Sequence, residues 1–274
     1  MTDRPLIAIT LGDPSGVGPE VVVKALVDPT LHEAARLFVI GAVETLRAAV
    51  AQTGGTAGVR AIAAPQDAAS SATTIDVLEV ADAPTSGFPL GQLSDNSARA
   101  SHAWVETAAR LAIDGTVDAI STAPVNKSAW RAAGFEDTGH QEVFKRLTGS
   151  TYVATMLVSG QLRCMHLSTH LSLSEACDYV TRENVLRAIR VTHEHFTRWD
   201  FQNPGIGVAA LNPHGSDGGP TPTKRSRLVI GPPSTLSGCA TRASRTPRTC
   251  QNRRYLPKRS PTTCGQHSSK LRTC

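Results

Sequence analysis

Between residues 5 and 211 the chain alternates short apolar runs with stretches of helical period. Residues 5–11 (PLIAITL) read as a buried strand, followed by the turn Gly12-Asp-Pro-Ser-Gly-Val-Gly-Pro19 and a helix over about 20–26. Residues 37–41 predict a second strand, 43–52 a second helix and 76–80 a third strand. Ala100, Ala103, Trp104, Ala108 and Leu111 recur at helical spacing, so a long helix is predicted over 96–114. Residues 117–121 follow as a strand, and 152–158 and 162–167 as two more, joined at Ser159-Gly160 as a hairpin. Ser172-Leu-Ser-Glu175 fits a capping box opening a helix. A further helix is predicted over 182–199 and a last strand over 205–211. Strands and helices in this alternation predict an α/β layered fold.

The pattern stops at Gly219. Residues 1–219 hold 16 Lys+Arg against 23 Asp+Glu, a formal charge of −7, while residues 220–274 hold 12 Lys+Arg and no acid. The net charge of +5 therefore comes from the tail, and the body is acidic. Two parts are expected: an α/β body over 1–219 and a basic Ser/Thr/Pro/Arg/Cys-rich tail over 220–274. A nucleic-acid-binding arm is one reading of the tail, since Lys and Arg neutralise phosphates. Its charges are scattered, however, and almost no aromatics interleave with them. A zinc module is another, but Cys239, Cys250, Cys264 and Cys274 form no CxxC pair. The favoured reading is a disordered or out-of-frame segment, because a shifted GC-rich coding strand gives this composition.

No apolar run approaches the ~20 residues that span a bilayer, and residues 6–11 are too brief for a signal-peptide core. Cys164 and Cys177 have no disulfide-framework spacing and read as reduced core residues of a cytoplasmic protein.

Candidate chemistry collects after strands, where open α/β sheets bind ligands. His170 lies in Ser168-Thr-His-Leu171 and His214 in Leu211-Asn-Pro-His-Gly-Ser-Asp-Gly-Gly219, each directly after a predicted strand. His140 lies in Thr138-Gly-His-Gln-Glu142, at a predicted helix start. Neutral imidazole is a common ligand for divalent metals. Catalytic metals usually take three protein ligands, so two histidines alone do not make a site; singly, each is by default a hydrogen-bonded loop residue. His166 reads as structural, and His193 and His195 as a solvated or half-buried helix face. The Gly12–Pro19 turn could present helix N-terminal amides to an anion or simply be a tight connection. Ser121-Thr-Ala-Pro-Val-Asn-Lys127 places Asn126 and Lys127 at the same edge, where a lysine beside a phosphate acts as a point charge.

Taken in order, these segments closely resemble the 4-hydroxythreonine-4-phosphate dehydrogenase family of pyridoxine phosphate biosynthesis. The resemblance covers residues 5–219. It implies an isocitrate/isopropylmalate dehydrogenase-like fold, with the C-terminal part truncated or frame-shifted, and a cytoplasmic homodimer. It also implies NAD- or NADP-linked oxidation of 4-phosphohydroxy-L-threonine with decarboxylation of the keto acid, and a divalent metal (Zn, Co or Mg). His170 and His214 match two of the family's three metal histidines. His140 matches a substrate-binding histidine, and Gln141 the adjacent substrate position, where many members carry Thr. That difference admits another 4-phosphorylated hydroxy acid, or an aromatic dihydrodiol, as substrate. The tail matches neither the third metal histidine nor much of the nicotinamide site, so the 274-residue chain is expected to be inactive. Outside the enzyme class, the alternative is a metal- or nucleic-acid-binding protein using the tail.

Overall fold

β1 (Leu6–Thr10) carries the pattern that organises the first half of the chain. Leu6, Ala8 and Thr10 are buried, and Ile7 and Ile9 are half-buried on the other face, as a strand covered on both sides requires. The computed structural model describes residues 4–201 and 204–209. These fall into two compact units divided between Val153 and Ala154.

In the first unit β1, β2 (Arg36–Ile40), β3 (Gly58–Ile62), β4 (Thr74–Leu78) and β5 (Ala119–Thr122) form one parallel sheet, ordered β3-β4-β2-β1-β5. α1 (Gly18–Leu26) and α3 (Val43–Gln52) pack on each other, whereas α4 (Asp95–Ile113) lies against β1, β2 and β5. The crossovers out of β1 and β2 run towards the β3 edge and the one out of β4 runs back. Right-handed crossovers therefore put α4 on the face opposite α1 and α3. Phe38, Leu46 and Trp104 are essentially fully buried in this core, each stabilising by about 1.5–3 kcal/mol through the area it removes from water. Short α2 (Pro29–Ala34), α5 (Lys127–Ala132) and α6 (His140–Thr148) complete the unit. Capping is local and legible: Asp28, Ser94 and Asn126 accept from the first amides of α2, α4 and α5.

The second unit starts with an antiparallel hairpin of β6 (Met156–Ser159) and β7 (Leu162–Met165), turned at Gly160 with φ +55°. α7 (Leu173–Tyr179) opens with the expected Ser172–Glu175 capping box, and α8 (Arg182–Arg198) buries Val185 and Ile189 against Leu167, Val180, Ile206 and Val208. Among the described residues no helix is long and apolar enough to cross a membrane.

Four expectations are corrected. Residues 205–209 form no strand: alternate residues Ile206 and Val208 pack on α8, but no ladder is made. The strand expected from 152 begins only at Met156, where its partner β7 begins to pair. Cys164 is exposed, because the two-stranded hairpin leaves both its faces largely open, and Cys177 is half-buried on α7, which buries no residue fully, so neither is a core thiol. β3 was not expected, since at the sheet edge its residues are exposed or half-exposed and carry no apolar run.

Candidate functional site

β1 and β5 are neighbours, so their following loops emerge side by side at the carboxyl edge of the sheet. The loops are joined directly. The amide of Asp13 donates to the Pro124 carbonyl at 2.8 Å, and Gly12 has φ +75° with room for no β-carbon, which would stand 2.5 Å from the same oxygen. Asp13 accepts from the Ser15 amide, and the Ser15 and Ser97 hydroxyls lie 2.6 Å apart, anchoring the turn to the first part of α4. Gly18 approaches the Leu11 carbonyl so closely that a β-carbon would lie 2.3 Å away. Gly12 and Gly18 thus serve close packing, and Asp13 and Ser15 are buried and engaged with the loop and with α4.

The β5 loop leads into α5, whose N-cap is Asn126 and whose first residue is Lys127. The exposed Lys127 lies across the start of α6: a β-carbon on Gly139 would be 3.1 Å from its Cε and 3.6 Å from its Nζ. Gly139 is extended, so its smallness answers to Lys127 rather than to backbone geometry. His140 opens α6, with Gln141 next to it, half-buried. The His140 ring lies edge-on to Trp130 at 6.2 Å, and its Nε2 is buried without a hydrogen-bond partner. Burial, aided by the Lys127 charge and opposed by Glu142, holds the imidazole below its ordinary pKa. His140 is therefore neutral near pH 7, with an unused ring nitrogen beside a cation and the positive end of a helix.

Behind this edge lies a network that the sequence reading did not single out. His102 and Asp137 are buried, with His102 Nε2 and Asp137 Oδ2 2.9 Å apart. Arg146 donates from Nε and Nη2 to Asp137 and from Nη2 to Glu106. The Arg146 guanidinium, with a smaller contribution from His102, holds the Asp137 carboxyl below its ordinary value against its burial. A usable signal was present: His102 interrupts the apolar face of α4, and Asp137 directly precedes Thr138-Gly-His140.

His170 belongs to the second unit, in the loop between β7 and α7. It is exposed and has φ +62°, a left-handed backbone that a non-glycine residue adopts at a cost of about 1–2 kcal/mol. It follows β7, which ends at Met165, and it shares its left-handed backbone with Ser70 and Asp200. His214 lies outside the described residues, as do the 219 boundary and the tail. Among the described residues no three His, Cys, Asp or Glu side chains form a group able to hold a metal. His170 alone does not make a metal centre. Among the other described histidines, His166 continues the hairpin through its amide to Thr155, His32 bridges Ser70 and the Leu26 carbonyl, His193 is half-buried and His195 exposed.

A neutral imidazole, a lysine and a helix N-terminus at one strand edge suit a small anionic ligand. A family model described as pyridoxal phosphate biosynthetic protein PdxA matches residues 33–230. A D-threonate 4-phosphate dehydrogenase of Cupriavidus necator is 39% identical over 215 residues, covering 78% of this chain and 64% of the relative. A 4-hydroxythreonine-4-phosphate dehydrogenase of Geobacter metallireducens is 32% identical over 226 residues, covering 82% of this chain and 67% of its own. The crystal structure of a 4-hydroxythreonine-4-phosphate dehydrogenase from Burkholderia phymatum superposes with TM-score 0.74 at 35% identity, covering 83% of this chain and 68% of that one. The chain thus spans about two thirds of the length of these relatives. A match over most of the body, in sequence and in fold, means that the chain belongs to the pyridoxal phosphate biosynthetic protein PdxA family.

Proposed function

We propose that this chain carries the substrate side of a cytoplasmic, homodimeric, NAD(P)-linked dehydrogenase for a 4-phosphorylated four-carbon hydroxy acid, built on an isocitrate/isopropylmalate dehydrogenase-like fold. The observation that carries the reading is the buried, unpartnered Nε2 of His140 at the start of α6, with Lys127 beside it. Neutral His140 can hydrogen-bond the substrate in either direction, while Lys127 and the first amides of α6 attract its negative groups. Gln141, with both a donor and an acceptor, is the second substrate contact. In the full reaction NAD or NADP would take hydride from the carbon bearing the substrate hydroxyl as that hydroxyl gives up its proton, and the resulting β-keto acid would lose CO₂.

His170 and His214 are the proposed ligands of a divalent Zn, Co or Mg ion. When bound, that ion would supply Lewis acidity to the substrate hydroxyl. Of the two, His170 lies among the described residues.

Two acids share this chemistry, 4-phosphohydroxy-L-threonine and D-threonate 4-phosphate, which differ at C2. The name of the Cupriavidus relative favours the second; an aromatic dihydrodiol lacks the phosphate that Lys127 and α6 suit. Residues 220–274 offer no counterpart of the third metal histidine, so binding rather than turnover is the activity expected of the chain. Isothermal titration with both acids and a dihydrodiol, with Zn²⁺ or Mg²⁺ present, tests the reading. Saturable binding of a phosphorylated acid supports it. Binding of neither acid, or of the dihydrodiol alone, contradicts it, and NAD(P)H formation by this chain would overturn the expected inactivity.

A further inference from the structure

We propose that Asp137, gripped by His102 and Arg146, is the positioning residue that fixes where the His140 imidazole stands at the start of α6. Asp137 lies three residues before His140 and touches it through no side chain; its partners belong to other parts of the unit. His102 is on α4, and Arg146 is on α6 itself, near its end. Arg146 Nη2 reaches Asp137 Oδ2 and Glu106 Oε1, each at 2.7 Å. Glu106 and His102 are four residues apart and so share a face of α4. The short segment entering α6 is therefore held by α4 on one side and by the body of α6 on the other.

A second path connects the same groups. The His102 ring stacks on Phe135, with centroids 3.9 Å apart and planes at 11°, and meets Trp130 edge-on at 5.0 Å. Trp130 is fully buried, donates from its indole to Ser101 at 2.8 Å, and presents another edge to His140. Any shift of His102 thus reaches His140 through Trp130 as well as through Asp137.

Stability alone does not call for this arrangement. An apolar contact between α4 and α6 would hold the helices at least as well as a buried charge network, whose desolvation offsets much of its attraction. What charged groups with fixed hydrogen-bond directions add is a defined geometry, as required of groups supporting a ligand contact. The consequence for ligand binding rests on the proposed role of His140; the positional claim does not.

The test follows the His140 imidazole directly by ¹⁵N NMR titration of the full chain, in wild type and Asp137→Asn. Its titratable neighbours Lys127 and Glu142 are unchanged in the variant. Release of the ring to solvent should raise its pKa towards the ordinary histidine value, since burial is the main cause that lowers it. His140 titrating as in wild type in folded D137N overturns the proposal. If D137N does not fold, Arg146→Lys, which keeps the charge but not the two-armed geometry, is read by the same two outcomes. Affinity for the phosphorylated acid should fall on the order of tenfold in the variant, as for other groups that orient a ligating side chain. If wild type binds neither acid, the functional reading fails, while the titration still decides the positional one.

Discussion

Asp13 and Pro124 are joined by a 2.8 Å hydrogen bond from amide to carbonyl, and through it the loop after β1 and the loop after β5 form one floor at the carboxyl edge of the sheet. Residues flanking that floor, Ser97 on one side and Lys127 on the other, are thereby tied to adjacent strands. The floor depends on Gly12, where φ is +75° and the Pro124 oxygen occupies the space of a β-carbon. Gly12→Ala should therefore cost at least about 2 kcal/mol, since a left-handed non-glycine residue alone costs ~1–3. Urea unfolding of the two proteins measures it; a variant as stable as wild type would show that the loops can part freely.

Ser70 closes a second lock, at the opposite edge of the sheet. Its hydroxyl lies 2.8 Å from His32 Nδ1, accepts from the Leu37 amide at 3.0 Å and donates to the Ala35 carbonyl. Ser70→Ala strands these buried groups, and each unmet partner costs about 1–3 kcal/mol. A thermal melt should show a clear loss for S70A and a smaller one for Ser71→Ala, whose half-buried residue bonds through its hydroxyl to the neighbouring Thr73.

Two groups set two separate acid windows. Burial holds His140 below its ordinary 6.5, so below that pH the unfolded chain takes up a proton that the folded chain resists. The stability linked to His140 is complete above 6.5 and falls as pH drops towards its folded value. Arg146 holds Asp137 below its ordinary 3.8, so that contribution is complete above 3.8 and is lost only at lower pH. Melting temperature followed from pH 8 to 3 should lose the first decline in His140→Gln and show a shallower second one in Asp137→Asn, where Asp28 and Glu175, also held low by hydrogen bonds, still contribute. Both declines persisting unchanged in both variants would contradict these assignments.

At His170 the backbone and the side chain make opposite demands. Glycine there would relieve ~1 kcal/mol of left-handed strain but restore a similar amount of unfolded-state entropy. His170→Gly should thus leave stability within about 0.5 kcal/mol of wild type, while weakening the Co²⁺ binding that the proposed ligand pair predicts for wild type. Unaltered Co²⁺ binding by H170G would remove His170 from the proposed ligand pair.

The longer helices and central strands were legible because their apolar residues follow one period each, whereas the six-residue α2 and α5 were not expected: Val43–Gln52 is a helix at the expected residues, and Asp95–Ile113 begins and ends one residue before its expected bounds. β3 escaped because an edge strand needs no apolar run. Residues 205–209 misled because alternation records burial, which α8 supplies, and not the partner strand that a ladder needs. Among the site residues, His140 showed itself through its place beside Gly139 at a helix start. The network behind it did not, since His102, Glu106, Asp137 and Arg146 come together only when α4 and α6 pack.

The measurement that bears most directly on the account is the affinity of a 4-phosphorylated hydroxy acid for wild type and His140→Ala, taken side by side by calorimetry with divalent ion present. Loss of the imidazole contact should weaken binding about tenfold or more, the equivalent of one hydrogen bond to a charged ligand, with the fold unchanged by circular dichroism. Equal affinities in the two proteins would show that the acid does not bind against His140.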